Sequence, residues 1–224
     1  MLRIGLPAGL QSVMYSFSNL VIQASINSFG TNAVAAWTAY GKIDGIFWMT
    51  INAFGIAITT FVGQNFGAKK YARVKRSVWV CMGFAALFSV ALSVLILLFG
   101  PQLYRLFTQD ADVVSVGVVM MQFMVPYYIT YIAIEVLSGA LRGTGDAIVP
   151  MLIPAVGICV LRIVWISFVV PMFPQVQTVC ISYPVSWVAT SVLFFAYYAF
   201  GKWMPRGIAR MEHRMQQPET AIHP

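Results

Sequence analysis

Long apolar stretches recur along the chain with short polar breaks between them, and their lengths predict helices that cross a membrane. Six spans fall at roughly 6–29, 40–62, 77–99, 114–138, 148–170 and 178–200. Runs of about 20 residues match a hydrocarbon core about 30 Å thick at about 1.5 Å of rise per residue. None alternates in the manner of a strand, and a helix in lipid bonds its own backbone, so the runs favour helices over a barrel. The stretch 33–61 exceeds one span and predicts a helix that begins outside the membrane or tilts through it. Pro126, Pro154 and Pro184 fall inside the last three spans and predict bends, because each removes a backbone donor. The expected fold class is all-α integral membrane: a six-transmembrane-helix bundle over 1–203, then a polar tail over 204–224 that loses order beyond Met211.

The first span breaks the apolar pattern in a regular way. Ser12, Ser16, Asn19, Gln23 and Asn27 recur at spacings of 4, 3, 4 and 4 residues. On a helix they fall within a stripe about 80° wide. Such side chains facing lipid are penalised, so the stripe predicts a face turned to the bundle interior or to a wet cavity. Interhelical hydrogen bonding is the plainer alternative. A stripe that runs the depth of the membrane favours a substrate cavity.

Composition agrees with a lipid solvent. Hydrophobic residues make up 59% of 224 positions and charged residues only 9%, against the roughly 25% charge of a soluble domain. The formal charge of +7 does not point to nucleic acid, because the basic residues sit in short loops and the tail rather than on one soluble face. Arg3, Lys69, Lys70, Arg73, Lys75, Arg76, Arg142, Lys202, Arg206, Arg210 and Arg214 share one side of a six-span topology, and only Lys42 and Arg105 fall on the other. Eleven against two places both termini in the cytoplasm and predicts a multi-pass plasma (inner) membrane protein. Arg3 precedes a long polar-striped helix rather than the short apolar core of a signal peptide. Cys81, Cys159 and Cys180 lie within apolar runs and read as small core residues.

Two charges lie within spans. Glu135 sits seven residues before Arg142, about 10 Å from the basic interface at helical rise. Arg162 lies sixteen residues after Asp146, beyond the midplane. Charges at such depth face a partner or a watered pathway. Two readings stay open: ion coupling, or a structural role in which Glu135 pairs with Arg162 or each bonds backbone carbonyls. Lys42 and Asp44 are expected near the opposite interface, where side chains snorkel.

Two compact loops punctuate the basic side. Gly63-Gln64-Asn65-Phe66-Gly67-Ala68 ends the second span, with glycines that permit left-handed geometry and amides that can cap carbonyls. Arg142-Gly143-Thr144-Gly145-Asp146 joins spans four and five, with Arg142 at a helix C-terminus and Asp146 as an N-cap. No phosphate loop, zinc-protease motif, nucleophile elbow or potassium-filter sequence occurs, so no enzyme activity and no cofactor or metal are expected.

Taken in order, Gly5-Leu6-Pro7, then Phe61-Val62-Gly63-Gln64-Asn65-Phe66-Gly67-Ala68, then Leu141-Arg142-Gly143-Thr144-Gly145-Asp146 resemble the multidrug and toxic compound extrusion (MATE) transporters. Leu161-Arg162-Ile163-Val164-Trp165 and Ser182-Tyr183-Pro184-Val185-Ser186-Trp187 look like the C-terminal half of that family, and the likeness runs from about Arg3 to Trp203. The resemblance implies one lobe of a twelve-helix protein that exports organic cations and drugs in exchange for Na⁺ or H⁺ by alternating access. On that analogy the Ser12–Asn27 stripe lines the cavity, Glu135 leads as the coupling residue, and a second six-helix lobe is needed, as a separate chain or another copy. The chain departs from the family in having half its length. It also carries Tyr131, and no acid on the first helix, where some cation-coupled relatives place carboxylates. Two alternatives remain: a flippase for lipid-linked sugars from the related superfamily, and a non-transporting fragment or assembly subunit.

Overall fold

The helices of the computed structural model, which describes residues 2–216, begin and end close to where the apolar runs do. α1 (Leu2–Asn27), α2 (Thr31–Gly67) and α3 (Tyr71–Leu98) are joined by three-residue turns. A short α4 (Gly100–Arg105) carries Pro101 in its first turn, where a missing N–H matters little, and leads to α5 (Ala111–Met124). Asp110 caps α5, its Oδ1 accepting from the backbone N–H groups of Asp112 (2.9 Å) and Val113 (3.4 Å). A 3₁₀ turn at Val125–Tyr127 separates α5 from α6 (Tyr128–Gly143). The fifth span is composite: α7 (Ile148–Pro154), a π-helical stretch Ala155–Val160, α8 (Leu161–Val164) and a second π stretch Trp165–Val169. α9 (Val176–Phe200) and α10 (Trp203–Gln216) complete the chain, and no strand occurs among the described residues.

Five of the resulting segments are long and apolar enough to cross a membrane: α2, α3, the α5–α6 unit, the α7–α8 unit and α9. α1 is long enough, with 26 residues, but its polar stripe lowers its hydropathy. Among the described residues there are thus six long helical segments, and the surface of α1 divides into three sectors. Ser18, Ile22 and Ile26 pack inward; Val13, Phe17 and Leu20 point outward; the polar stripe lies between these faces. Large apolar side chains such as Phe84, Leu87, Leu98, Phe168 and Phe200 cover the outside, which suits lipid rather than water.

Small residues fix the packing. α2 lies against α6 more extensively than any other pair, and α6 presents Gly139 and Gly143 four residues apart. A Cβ at Gly139 would come within 2.8 Å of the Gly55 carbonyl, and one at Gly143 within 2.7 Å of the Thr59 carbonyl. Backbones approach this closely in membranes because dispersion and hydrogen bonding, not water exclusion, hold helices together there. The Thr59 hydroxyl lies 2.7 Å from the Gly55 carbonyl and 3.0 Å from that of Gly139, stitching the two helices.

The prolines act unequally. Pro126 produces the 3₁₀ turn, and hydroxyls from neighbours bond carbonyls around it: Ser93 of α3 to Val125 (3.1 Å) and Ser191 of α9 to Thr130. Pro154 immediately precedes the first π stretch. Pro184 leaves α9 unbroken, with the Ser182 and Ser186 hydroxyls bonded to carbonyls of their own preceding turns (2.6 and 2.8 Å).

Two local expectations need correction. The left-handed residue after α2 is Lys69 (φ 59), not Gly63 or Gly67, which both lie within the helix. The tail is helical well past Met211: α10 runs to Gln216, and residues 217–224 lie outside the described residues. Just before Met211 the helix is tied to the α6–α7 loop, because Arg210 donates to the Gly145 carbonyl (3.1 Å) and to Asp146 Oδ2 (3.0 Å). A Cβ at Gly207 would meet Phe66 at 2.8 Å, so the helix lies tight against the end of α2.

Candidate functional site

Two cavities open along α1. The first, 520 Å³, is lined by Gln11, Ser12 and Tyr15 of α1, by Asn52, Gly55 and Thr59 of α2, and by Tyr131, Glu135, Ser138 and Arg142 of α6. The second, 620 Å³, takes Asn19, Ile22 and Gln23 from α1, Asp44 and Trp48 from α2, Arg162 from α8, and Tyr183 and Trp187 from α9. Tyr15 and Tyr131 line both and mark the boundary between them. Both volumes fall in the range of sites for drug-sized molecules.

The α1 stripe divides between these cavities and the open surface. Ser12 lines the first cavity; Asn19 and Gln23 line the second. Ser16 and Asn27 line neither and are exposed. Ser16 donates to the Ser12 carbonyl (3.0 Å), and Gln23 Nε2 donates to Asn27 Oδ1 (2.9 Å), so Ser16, Gln23 and Asn27 are partly satisfied along their own helix.

Glu135 and Arg162 are not a pair. Glu135 bonds Arg142 seven residues on, Oε1 to Nη2 at 3.1 Å, where two helical turns bring the side chains together across the cavity wall. Room for the carboxylate comes from Gly55: a Cβ there would lie 2.1 Å from Glu135 Oε1. Arg162 instead lies buried in the lining of the second cavity. Its Nε donates to Ser186 Oγ (2.9 Å), and its guanidinium carbon stands 3.8 Å from the centre of the Tyr183 ring. No carboxylate lies within ion-pair distance of it among the described residues.

The motif loops form the end of the bundle. The α6 end closes with Gly145 left-handed (φ 81), and Asp146 N–H returns to the Leu141 carbonyl (3.0 Å). Asp146 Oδ1 accepts from the N–H groups of Ile148 (3.3 Å) and Val149 (3.4 Å) at the start of α7. Asn65 Nδ2 donates to the Phe61 carbonyl (2.9 Å), and Gln64 is exposed. Gly63, Gly67, Arg142, Gly143, Gly145 and Arg210 line a 240 Å³ hollow where both loops meet α10.

One residue escaped the sequence reading. Asp44 does not snorkel; it is buried within the bundle. It accepts from the Tyr128 hydroxyl and from Trp48 Nε1. The Tyr40 and Tyr128 hydroxyls are 2.8 Å apart, and since Tyr128 spends its proton on Asp44, Tyr40 donates to Tyr128. Tyr128 is further held by the Phe47 ring stacked at 4.0 Å. The signal was present in the spacing: Tyr40, Asp44 and Trp48 are four residues apart and share one face of α2.

Comparison with known proteins places this arrangement. The sequence profile of the MatE family matches residues 7–167. The chain belongs to the MatE family. It is 24% identical over 213 residues to the probable multidrug resistance protein YoeA of Bacillus subtilis, covering 94% of this chain and 46% of that one. It is 29% identical over 219 residues to the probable multidrug resistance protein NorM of Aromatoleum aromaticum, covering 96% and 46%. Among solved structures, its fold matches the outward-facing conformation of a multidrug resistance MATE family transporter of the MOP superfamily, with a TM-score of 0.82, 19% identity, and 90% and 44% of the two chains covered. The MatE chain thus spans about half the length of the curated relatives it matches. It is a multi-pass membrane protein with the architecture of about one lobe.

Proposed function

We propose that the chain is one lobe of an efflux transporter, which exports organic cations and drug-like amphipaths in exchange for Na⁺ or H⁺ by alternating access, together with a second six-helix lobe. The observation that carries this reading is the position of the cavities. They lie side by side along the polar face of α1, and that face is left open between the packed and the lipid-facing sectors of the helix. A polar stripe at membrane depth calls for water or another protein surface. A second lobe facing it supplies both. The likeness to multidrug resistance proteins supports the substrate class. The basic loops and α10, gathered at one end, support a cytoplasmic location for that end and for both termini in a plasma membrane.

In this reading Glu135 is the coupling group. It is a carboxylate inside the span, facing a cavity, with one salt-bridge partner that a cation or a proton can displace. Ion-driven drug efflux is measured in vesicles with both lobes present. Glu135→Gln lowers the gradient-dependent rate at least tenfold while drug binding without a gradient persists. An unchanged gradient-dependent rate removes Glu135 from coupling.

A further inference from the structure

Arg162 is a buried charge with most of its donors unpaired among the described residues. It is 4% exposed, and one of its five N–H donors is taken by Ser186. The other four meet no acceptor among the described residues, yet the residue lines the 620 Å³ cavity. Trp187, whose indole N–H also lacks a partner, lines the same cavity. The Tyr183 ring beneath the guanidinium supports the cation from one side and offers no anion. Asp44, which lines the same cavity, already holds two donors of its own.

We infer that Arg162 is the docking point for the anionic group of a bound amphipath: a carboxylate held by the free edge of the guanidinium, with the apolar body of the molecule among the rings of Trp37, Trp48, Tyr183 and Trp187. The planar guanidinium fork matches a carboxylate in two parallel hydrogen bonds, which a lone ammonium cannot offer. Aromatic side chains around it suit a ring or a flat hydrocarbon body. The cavity therefore takes organic anions in addition to the cations of the proposed function. The inference rests on reading this cavity as the one that receives substrate, and it concerns the chemistry of the ligand rather than the coupling ion.

The test is a binding titration on the purified full protein in mild detergent, with no ion gradient, following tryptophan fluorescence. Naphthalene-2-carboxylate is compared with naphthalene-2-methylammonium, which keeps the ring and reverses the charge. The carboxylate is expected to bind at least tenfold tighter than the ammonium, and Arg162→Gln to weaken it at least tenfold. Arg162→Lys keeps the charge, loses the fork and recovers only part of the affinity. A thermal melt accompanies each variant. Because Arg162 has no carboxylate partner among the described residues, Arg162→Gln is expected to melt no lower than the parent. Equal binding of the two probes, or carboxylate binding indifferent to Arg162→Gln, overturns the inference. So does a lower melting point with no carboxylate binding in the parent, which assigns Arg162 to a structural pair with another lobe. Binding of dioctanoyl phosphatidate without any binding of the naphthoate overturns it in favour of a lipid site. Drug efflux that survives alongside a failed titration leaves the transporter reading intact.

Discussion

Asp44 is the residue whose surroundings most limit what can replace its neighbours. A buried carboxylate is tolerated when donors surround it, and here the donors are Tyr128 and Trp48, with Tyr40 behind Tyr128. Tyr128→Phe deletes the middle of that chain, leaving Asp44 short of a donor and Tyr40 short of an acceptor. The cost expected is about 1–3 kcal/mol, the usual penalty for orphaning a buried polar group. It reads out as a lower melting point in detergent, whereas Tyr127→Phe, on a half-exposed neighbour, leaves the melt unchanged. Equal melts for both variants remove the network from the stability of the lobe. Asp44 lies twenty residues before Gln64, a distance that puts it near the far interface of the membrane. Counting gives depth but not direction, and direction is what turned this side chain inward.

Among the elements, α2 and α6 form the rigid pair, and their glycines are not equivalent. At Gly139 and Gly143 an added methyl strikes backbone carbonyls, which cannot move without separating the helices. Gly139→Ala or Gly143→Ala is therefore expected to destabilise by about 1–3 kcal/mol through overpacking. At Gly55 the nearest atoms to the added methyl all belong to the flexible Glu135 side chain, Oε1 at 2.1 Å and Cδ and Cγ at 2.9 Å, rather than to backbone. Gly55→Ala should leave the melting point near the parent value, push the carboxylate away from Arg142, and reproduce the efflux defect of Glu135→Gln. A melt for Gly55→Ala as low as that of Gly143→Ala would show that Glu135 cannot yield. Helix positions were legible in the sequence because apolar runs in lipid leave few alternatives. The Gly139–Gly143 contact and the Glu135–Arg142 bond were not, since each depends on which faces of α2 and α6 meet. The motif loops were legible as punctuation. Left-handed geometry fell on Lys69 because α2 winds on through Gly67 before it stops.

At the scale of the molecule, the open polar face of α1 demands a partner surface. Extraction in mild detergent, with mass corrected for bound lipid, is expected to give about twice 24.8 kDa, either as two copies or as this lobe with another of similar size. A lone 24.8 kDa species would leave the stripe facing detergent and count against a two-lobe transporter. Membrane character and one-lobe architecture could be read from hydropathy and motif order. The split of the interior into two cavities could not, because Tyr15 and Tyr131 look like ordinary span residues until their helices are placed together.

The fifth span has a mechanical consequence of its own. Arg162 stands on a single turn of α8 with a wide π turn on either side, and Trp165 pins the second of these to the Thr178 carbonyl of α9 (2.9 Å). Wide turns hold spare chain within a helix, and such turns recur at functional sites. Tightening one and loosening the other swivels the short turn between them while both ends of the span stay anchored. The aim of the guanidinium is thus set by two wide turns close to it rather than by the tilt of the whole span.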